Sequence, residues 1–308
     1  MALAIERVLG GGAGMWVNID SAYRLWKARE SHRSREGEHV EWAREFPLTE
    51  LRKRGYLHDG RLSADTVAEL LSFFGVADIE QWEQVYSPVA AQFRQSPSYT
   101  ASWKAQASYL RICELQAEVW DLAPFDRNRV EEIVRKVRDN LASEPVGLLQ
   151  RAGEELAEAG VALVMEPGLP KAQLSGAAFW PRRNKAVLAL TMRFKTADHL
   201  LFSFFHEAAH LLLHRDRTLL ETEVAAGQLE DEADRFARRL LISDDAYRKL
   251  VNAGAPSLEE VEETARQQGL AVDSLIGMLQ HDGVVRYTSY NGYKRPVSTS
   301  AAPVHFGG

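Results

Sequence analysis

The stretch His206-Glu207-Ala208-Ala209-His210 constrains this chain more than any other, because it sets two imidazoles four residues apart with a carboxylate between them. On a helix, positions i and i+4 project from one face, so both rings can reach a single ion about 2 Å away. Glu207 points elsewhere on the turn, where it can take a proton from a water activated by that ion. The flanks decide where the helix lies. Leu200-Leu201-Phe202-Ser203-Phe204-Phe205 precedes the motif and Leu211-Leu212-Leu213 follows it, so the helix is apolar nearly all round and is expected to be buried. Two histidines and a glutamate in that setting are costly without partners, and a metal with its water satisfies them together. Asp198 is expected to cap the start of this helix.

A tetrahedral catalytic site takes a third protein ligand and keeps its fourth position open. The candidate segment is Glu230 to Ile242, where Ala233, Phe236, Ala237, Leu240 and Leu241 recur at helical spacing and define an inward face. Glu230 and Asp234 share that face, whereas Asp231, Glu232, Arg235, Arg238 and Arg239 are directed mostly toward solvent. Glu230 is therefore the expected third ligand, with Glu232 as the alternative. Asp234, one turn on, suits accepting the other N–H of a ligand histidine. His199 and His214, one or two turns from the pair, read as supporting or surface residues. His281 follows a helix at 272–280 and could either donate to a developing oxyanion or cap that helix.

The rest of the chain sets the frame. The 308 residues suggest about two domains, and 45% hydrophobic content is enough for real cores. A net charge of −6 argues against a predominantly nucleic-acid-binding surface. The basic clusters Lys27, Arg29, Arg33, Arg35 and Arg52, Lys53, Arg54 are interspersed with acids and read as solvated helix faces. One cysteine, Cys113, forbids an internal disulfide and suits a reducing compartment. No run of 18 apolar residues and no leader pattern is found, so a cytoplasmic location without membrane attachment is expected.

Helical periodicity covers 48–54, 64–74, 79–86, 102–120, 129–141 and 146–159, and the aromatic positions Trp42, Phe46, Phe73, Phe74, Trp82 and Phe93 read as a packed core. Strands are expected at 160–167, 176–180 and 185–191, leading into the motif helix, with further helices at 258–268 and 272–280. The fold class is α+β, mainly α. The expected division is a helical N-terminal region at 1–143, a metal-hydrolase domain with a small sheet at 144–296, and a disordered tail at 297–308.

HEAAHLLLH followed by EDEADRFARRLLI resembles the ImmA/IrrE family of zinc metallopeptidase domains. The segments Ser175-Gly176-Ala177, Lys185 to Leu188, Arg193-Phe194-Lys195, Leu279 to Gly283 and Asn291 to Lys294 are similar to its subgroup fused to antitoxin-like helix-turn-helix regulators. The resemblance spans roughly residues 140–296. It implies a zincin-like fold with His206, His210 and Glu230 as zinc ligands and Glu207 as general base; manganese or another divalent ion suits the same donors. It further implies an endopeptidase that cleaves a helix-turn-helix repressor in a stress, phage-related or toxin–antitoxin response, or else a non-catalytic regulator using the metal domain for sensing or partner binding. Ala4 to Leu9 and Met15 to Asn18 resemble the tail of a helix-turn-helix module, and the chain starts too late to hold a complete one. Direct DNA binding is not expected without it.

Overall fold

The computed structural model describes residues 1–93, 102–182, 185–193, 195–214, 223–252 and 254–297. The architecture is mainly helical α+β, with a three-stranded sheet in the C-terminal part. The helices are α1 (Ala2–Leu9), α2 (Ala13–Glu38), α3 (Val40–Arg44), α4 (Leu48–Lys53), α5 (Ala64–Phe74), α6 (Ile79–Phe93), α7 (Trp103–Glu118), α8 (Arg127–Asp139) and α9 (Pro145–Glu158). Strands β1 (Val161–Glu166), β2 (Gly176–Arg182) and β3 (Lys185–Thr191) follow, then α10 (Ala197–Leu213), α11 (Glu223–Leu241), α12 (Asp244–Val251), α13 (Leu258–Gln268) and α14 (Val272–His281). No helix among the described residues is long and apolar enough to cross a membrane.

Contacts divide the chain into two compact units, Met1–Val85 and Tyr86–Gly308. In the first, Trp82 is fully buried and meets Trp42, Phe46 and Phe74 at 5.2–5.5 Å between ring centroids, all in edge-on pairs. Such geometry sets ring edges against ring faces, as aromatic quadrupoles prefer. These rings therefore fill a core instead of offering bases a stacking surface; the side chain of Phe93 lies outside the described residues.

In the second unit the strands are apolar on both faces because both are covered. Val161, Leu163 and Met165 of β1, with Ala186, Leu188 and Leu190 of β3, join one core with α8, α9 and α10. The alternate residues Ala162, Val164, Val187 and Ala189 are equally buried and turn to the face that α7 covers, where Gln116 donates to the Glu166 carboxylate at 2.5 Å. Cys113 is buried in α7. The sheet order is β1-β3-β2, with β1 parallel and β2 antiparallel to β3, so β2 is an edge.

Two expectations change here. The break expected near residue 143 is not where contacts thin out, since Val130, Ile133, Val134, Val137 and Leu141 all belong to the core of the second unit. Arg138 donates to the carbonyls of Leu240 and Gln268 at the ends of α11 and α13, and Arg295 donates to those of Leu141 and Ser143. The helical periodicity of α8 shows that one face is apolar, but not which partner covers it. At the other end, Val297 is buried and its N–H donates to the Lys195 carbonyl, so ordered chain continues one residue past Pro296. Residues 298–308 of the expected tail lie outside the described ones.

Candidate metal centre

Helix α10 carries both histidines of the motif on the side facing α11, and the small Ala233 and Ala237 of α11, fully buried, allow the two helices to pack closely. Three donor atoms converge between them. His206 Nε2 lies 3.1 Å from His210 Nε2 and 3.1 Å from Glu230 Oε2, and His210 Nε2 lies 3.5 Å from Glu230 Oε1. A tetrahedron with bonds of about 2.0–2.1 Å has edges of roughly 3.3–3.4 Å, so this spacing suits one small divalent cation. Glu230 is exposed, which leaves the centre open on that side.

The outer nitrogens of both rings are tied down. His206 Nδ1 meets Asp234 Oδ1 at 2.8 Å, and because a carboxylate only accepts, Nδ1 carries a proton, which leaves Nε2 as the nitrogen that would face a bound ion. His210 Nδ1 lies 3.0 Å from His214 Nδ1, whose Nε2 lies 3.1 Å from Glu232 Oε2. Protons running from His210 to His214 to Glu232 satisfy every partner and leave the His210 Nε2 lone pair facing His206 Nε2 at 3.1 Å. That lone pair and the Glu230 carboxylate together call for something positive between them, a proton on His206 Nε2 or a cation in its place. The same preference shows in His206 itself: burial opposes its charging, but the bonds to Asp234 and Glu230 outweigh burial and push its pKa up to about 10. Glu230 is held well below the usual carboxylate range, its bonds to His206 and His210 outweighing its own burial. The cluster is built to hold positive charge, and a divalent cation fits it.

Glu207 projects away from these donor atoms toward β2. Burial pushes its carboxyl pKa up, with His210 and His206 pulling the other way, and the backbone N–H of Ala178 donates to it. That N–H is available because Ser175 pairs by hydrogen bond with Thr191, so Gly176 and Ala178, at alternate positions, turn their backbone groups to the free edge of β2. Gly176 is required for the approach: a Cβ there would stand 2.6 Å from Glu207 Cγ and 2.7 Å from its Oε1.

The structure brings His206, His210, Glu230 and Asp234 together as expected from the two helical faces, and sets Glu207 beside them. Glu232, the alternative ligand, instead faces His214, because it lies two residues from Glu230 and so on another side of α11. His281 ends α14 half-exposed, its Nδ1 3.3 Å from Asp282 Oδ1 and its ring against Phe202; it is not among the converging donors. Asp198 does not cap α10, whose N-cap is Thr196; it sits in the first turn, buried, with Lys294 Nζ 2.5 Å from its Oδ2. Sequence reasoning missed the pairing of His214 with Glu232 and the support of Glu207 by β2. The small-residue run Gly176-Ala177-Ala178 was the available signal, since such runs mark close backbone approach.

Residues 157–271 match the model of the Peptidase_M78 family, the IrrE N-terminal-like domain. The matched segment holds all three strands, α10 and α11, and therefore the whole converging cluster. The match supports the ImmA/IrrE family, a metallopeptidase family that is generally zinc-dependent. No curated protein matches the chain.

Proposed function

We propose that this chain is a zinc-dependent endopeptidase whose substrate is a helix-turn-helix repressor, cleaved in a stress, phage-related or toxin–antitoxin response. The observation that carries the reading is the convergence of His206, His210 and Glu230 at tetrahedral spacing, with a buried Glu207 held beside them by the edge strand. In this reading His206, His210 and Glu230 hold the metal, and Asp234 and His214 orient the two rings. Zinc bound there supplies the Lewis acidity that activates water and polarises a carbonyl. Glu207 takes the proton from the attacking water and passes it to the leaving amine. The backbone groups at the β2 edge, apart from the Ala178 N–H that Glu207 takes, suit pairing with an extended substrate, which would lay a peptide bond across the centre.

The test is incubation of the zinc-loaded chain with helix-turn-helix repressors encoded beside it. A discrete cut made by the wild type and absent with Glu207→Gln at equal zinc content is expected. Full cleavage by Glu207→Gln would refute the assignment of the base. A stable complex without any cut would instead favour a regulator that uses the metal domain for partner binding. Manganese in place of zinc checks which ion supports turnover.

A further inference from the structure

His206, His210 and His214 follow one another at i, i+4 and i+8, so their rings line one side of α10, with centroids 4.8 Å and 5.1 Å apart. Helix α11 meets them with three acids. Glu230 faces His206 and His210, Asp234 takes the His206 Nδ1 proton, and Glu232 Oε2 lies 3.1 Å from His214 Nε2. The two rings of the motif are therefore held differently. His206 leans directly on a carboxylate, whereas His210 Nδ1 meets another imidazole, His214 Nδ1, at 3.0 Å.

That difference bears on which nitrogen His210 presents to an ion. A carboxylate only accepts, so it dictates where its partner's proton lies; a neutral imidazole holds one donor and one acceptor and dictates nothing by itself. With an ion on His210 Nε2, the ring's proton is on Nδ1, and His214 Nδ1 must accept it. His214 must then carry its own proton on Nε2. In the opposite tautomer two N–H groups would point at each other across 3.0 Å. Glu232 selects between the two, because its oxygen accepts from His214 Nε2–H and offers no proton in return. The His214 side chain is only 6% exposed, so a mismatched bond there is not made good by bulk water.

We infer that Glu232 is a positioning residue of the metal centre, acting through His214 to hold His210 in the tautomer whose Nε2 faces the ion. The inference rests on the metal reading of the centre and not on proteolysis, so its tests follow zinc and protons instead of cleavage. Zinc affinity of the full chain is measured by competition with a chelator. Glu232→Leu, which removes the acceptor, is expected to weaken zinc about tenfold, the lower end of what outer partners of metal-bound histidines contribute. Glu232→Gln keeps an acceptor oxygen without the charge and should stay within about threefold of wild type. Asp231→Asn removes an exposed charge one residue away and should change nothing. Equal losses in all three variants would reduce the effect to net charge and overturn the inference, as would wild-type affinity in Glu232→Leu.

His214→Phe should weaken zinc at least as much as Glu232→Leu, and the double variant no further than His214→Phe, because residues acting in one chain are not additive. Additive losses would show that Glu232 does not act through His214. A second readout stands even if His214→Phe does not fold: heteronuclear NMR of the imidazole nitrogens in the zinc-loaded chain. The wild type is expected to show His214 protonated at Nε2, and Glu232→Leu to populate the form protonated at Nδ1. An unchanged His214 tautomer in that variant would overturn the inference and leave the metal reading intact. A wild-type chain that binds no zinc would overturn the metal reading, and this inference with it.

Discussion

Replacing Gly176 by alanine tests the link between the edge strand and Glu207, the proposed general base, without touching a proposed ligand. The added Cβ would lie 2.6 Å from Glu207 Cγ, 2.7 Å from Oε1 and 3.0 Å from the Ala189 carbonyl oxygen. Carbon atoms in contact sit about 3.5–4.0 Å apart, so roughly 1 Å of movement must be found. The strand cannot supply it easily, because β2 is fixed to β3 by its ladder. Glu207 must move instead, losing the Ala178 N–H. A displacement of about 1 Å at a reacting group can cost on the order of 100-fold in rate. Overpacking of a tight interior site costs about 1–3 kcal/mol in stability, a few degrees in melting temperature for a unit of this size. Gly176→Ala is therefore expected to retain one zinc per chain, melt slightly lower and lose about 100-fold in cleavage. Zinc is measured by elemental mass spectrometry and turnover on a peptide library. Activity within about threefold of wild type would show that the strand does not set Glu207, refuting the reasoning. Loss of zinc together with activity would show that the change unfolds the centre.

Other expectations follow from the same geometry. His206→Ala and Glu230→Ala should each lower bound zinc, and undiminished zinc in either would remove that residue from the ligand set. Asp234→Ala should weaken zinc affinity by about 10–100-fold while the fold survives, read by competition with a chelator. Lys294→Met leaves Asp198 buried without its cation and should destabilise the second unit by about 3–5 kcal/mol in urea melts, with much of the loss recovered when Asp198→Asn is added; equal stability of single variant and wild type would contradict this. Asp282 is held below its usual 3.8: burial opposes this, and the bonds from His281 and Tyr247 with the charge of Arg238 outweigh burial. Its contribution is thus present above the unfolded value and lost as pH falls through the folded one. Urea melts at stepped pH should show Asp282→Asn weaker than wild type near neutrality and the two curves meeting in acid.

What the sequence determined by itself was local and periodic. The i, i+4 spacing of His206 and His210 puts both rings on one side of any helix, and the apolar flanks bury that helix wherever it docks. The spacing of Glu230 and Asp234 around Ala233 likewise defined which side of α11 faces inward. The three strands could be read from their β-branched and small-residue runs between Gly160, Pro167, Pro181 and Thr191. Periodicity says which face of an element is covered, but it does not say by what. Only the tertiary structure decided that α8 packs against α9, α10 and α11, that Asp198 meets Lys294 across 96 positions instead of capping its helix, and that Glu207 rests on the β2 edge. Those contacts join segments far apart in the chain, and their energies depend on distances and desolvation that no local pattern encodes.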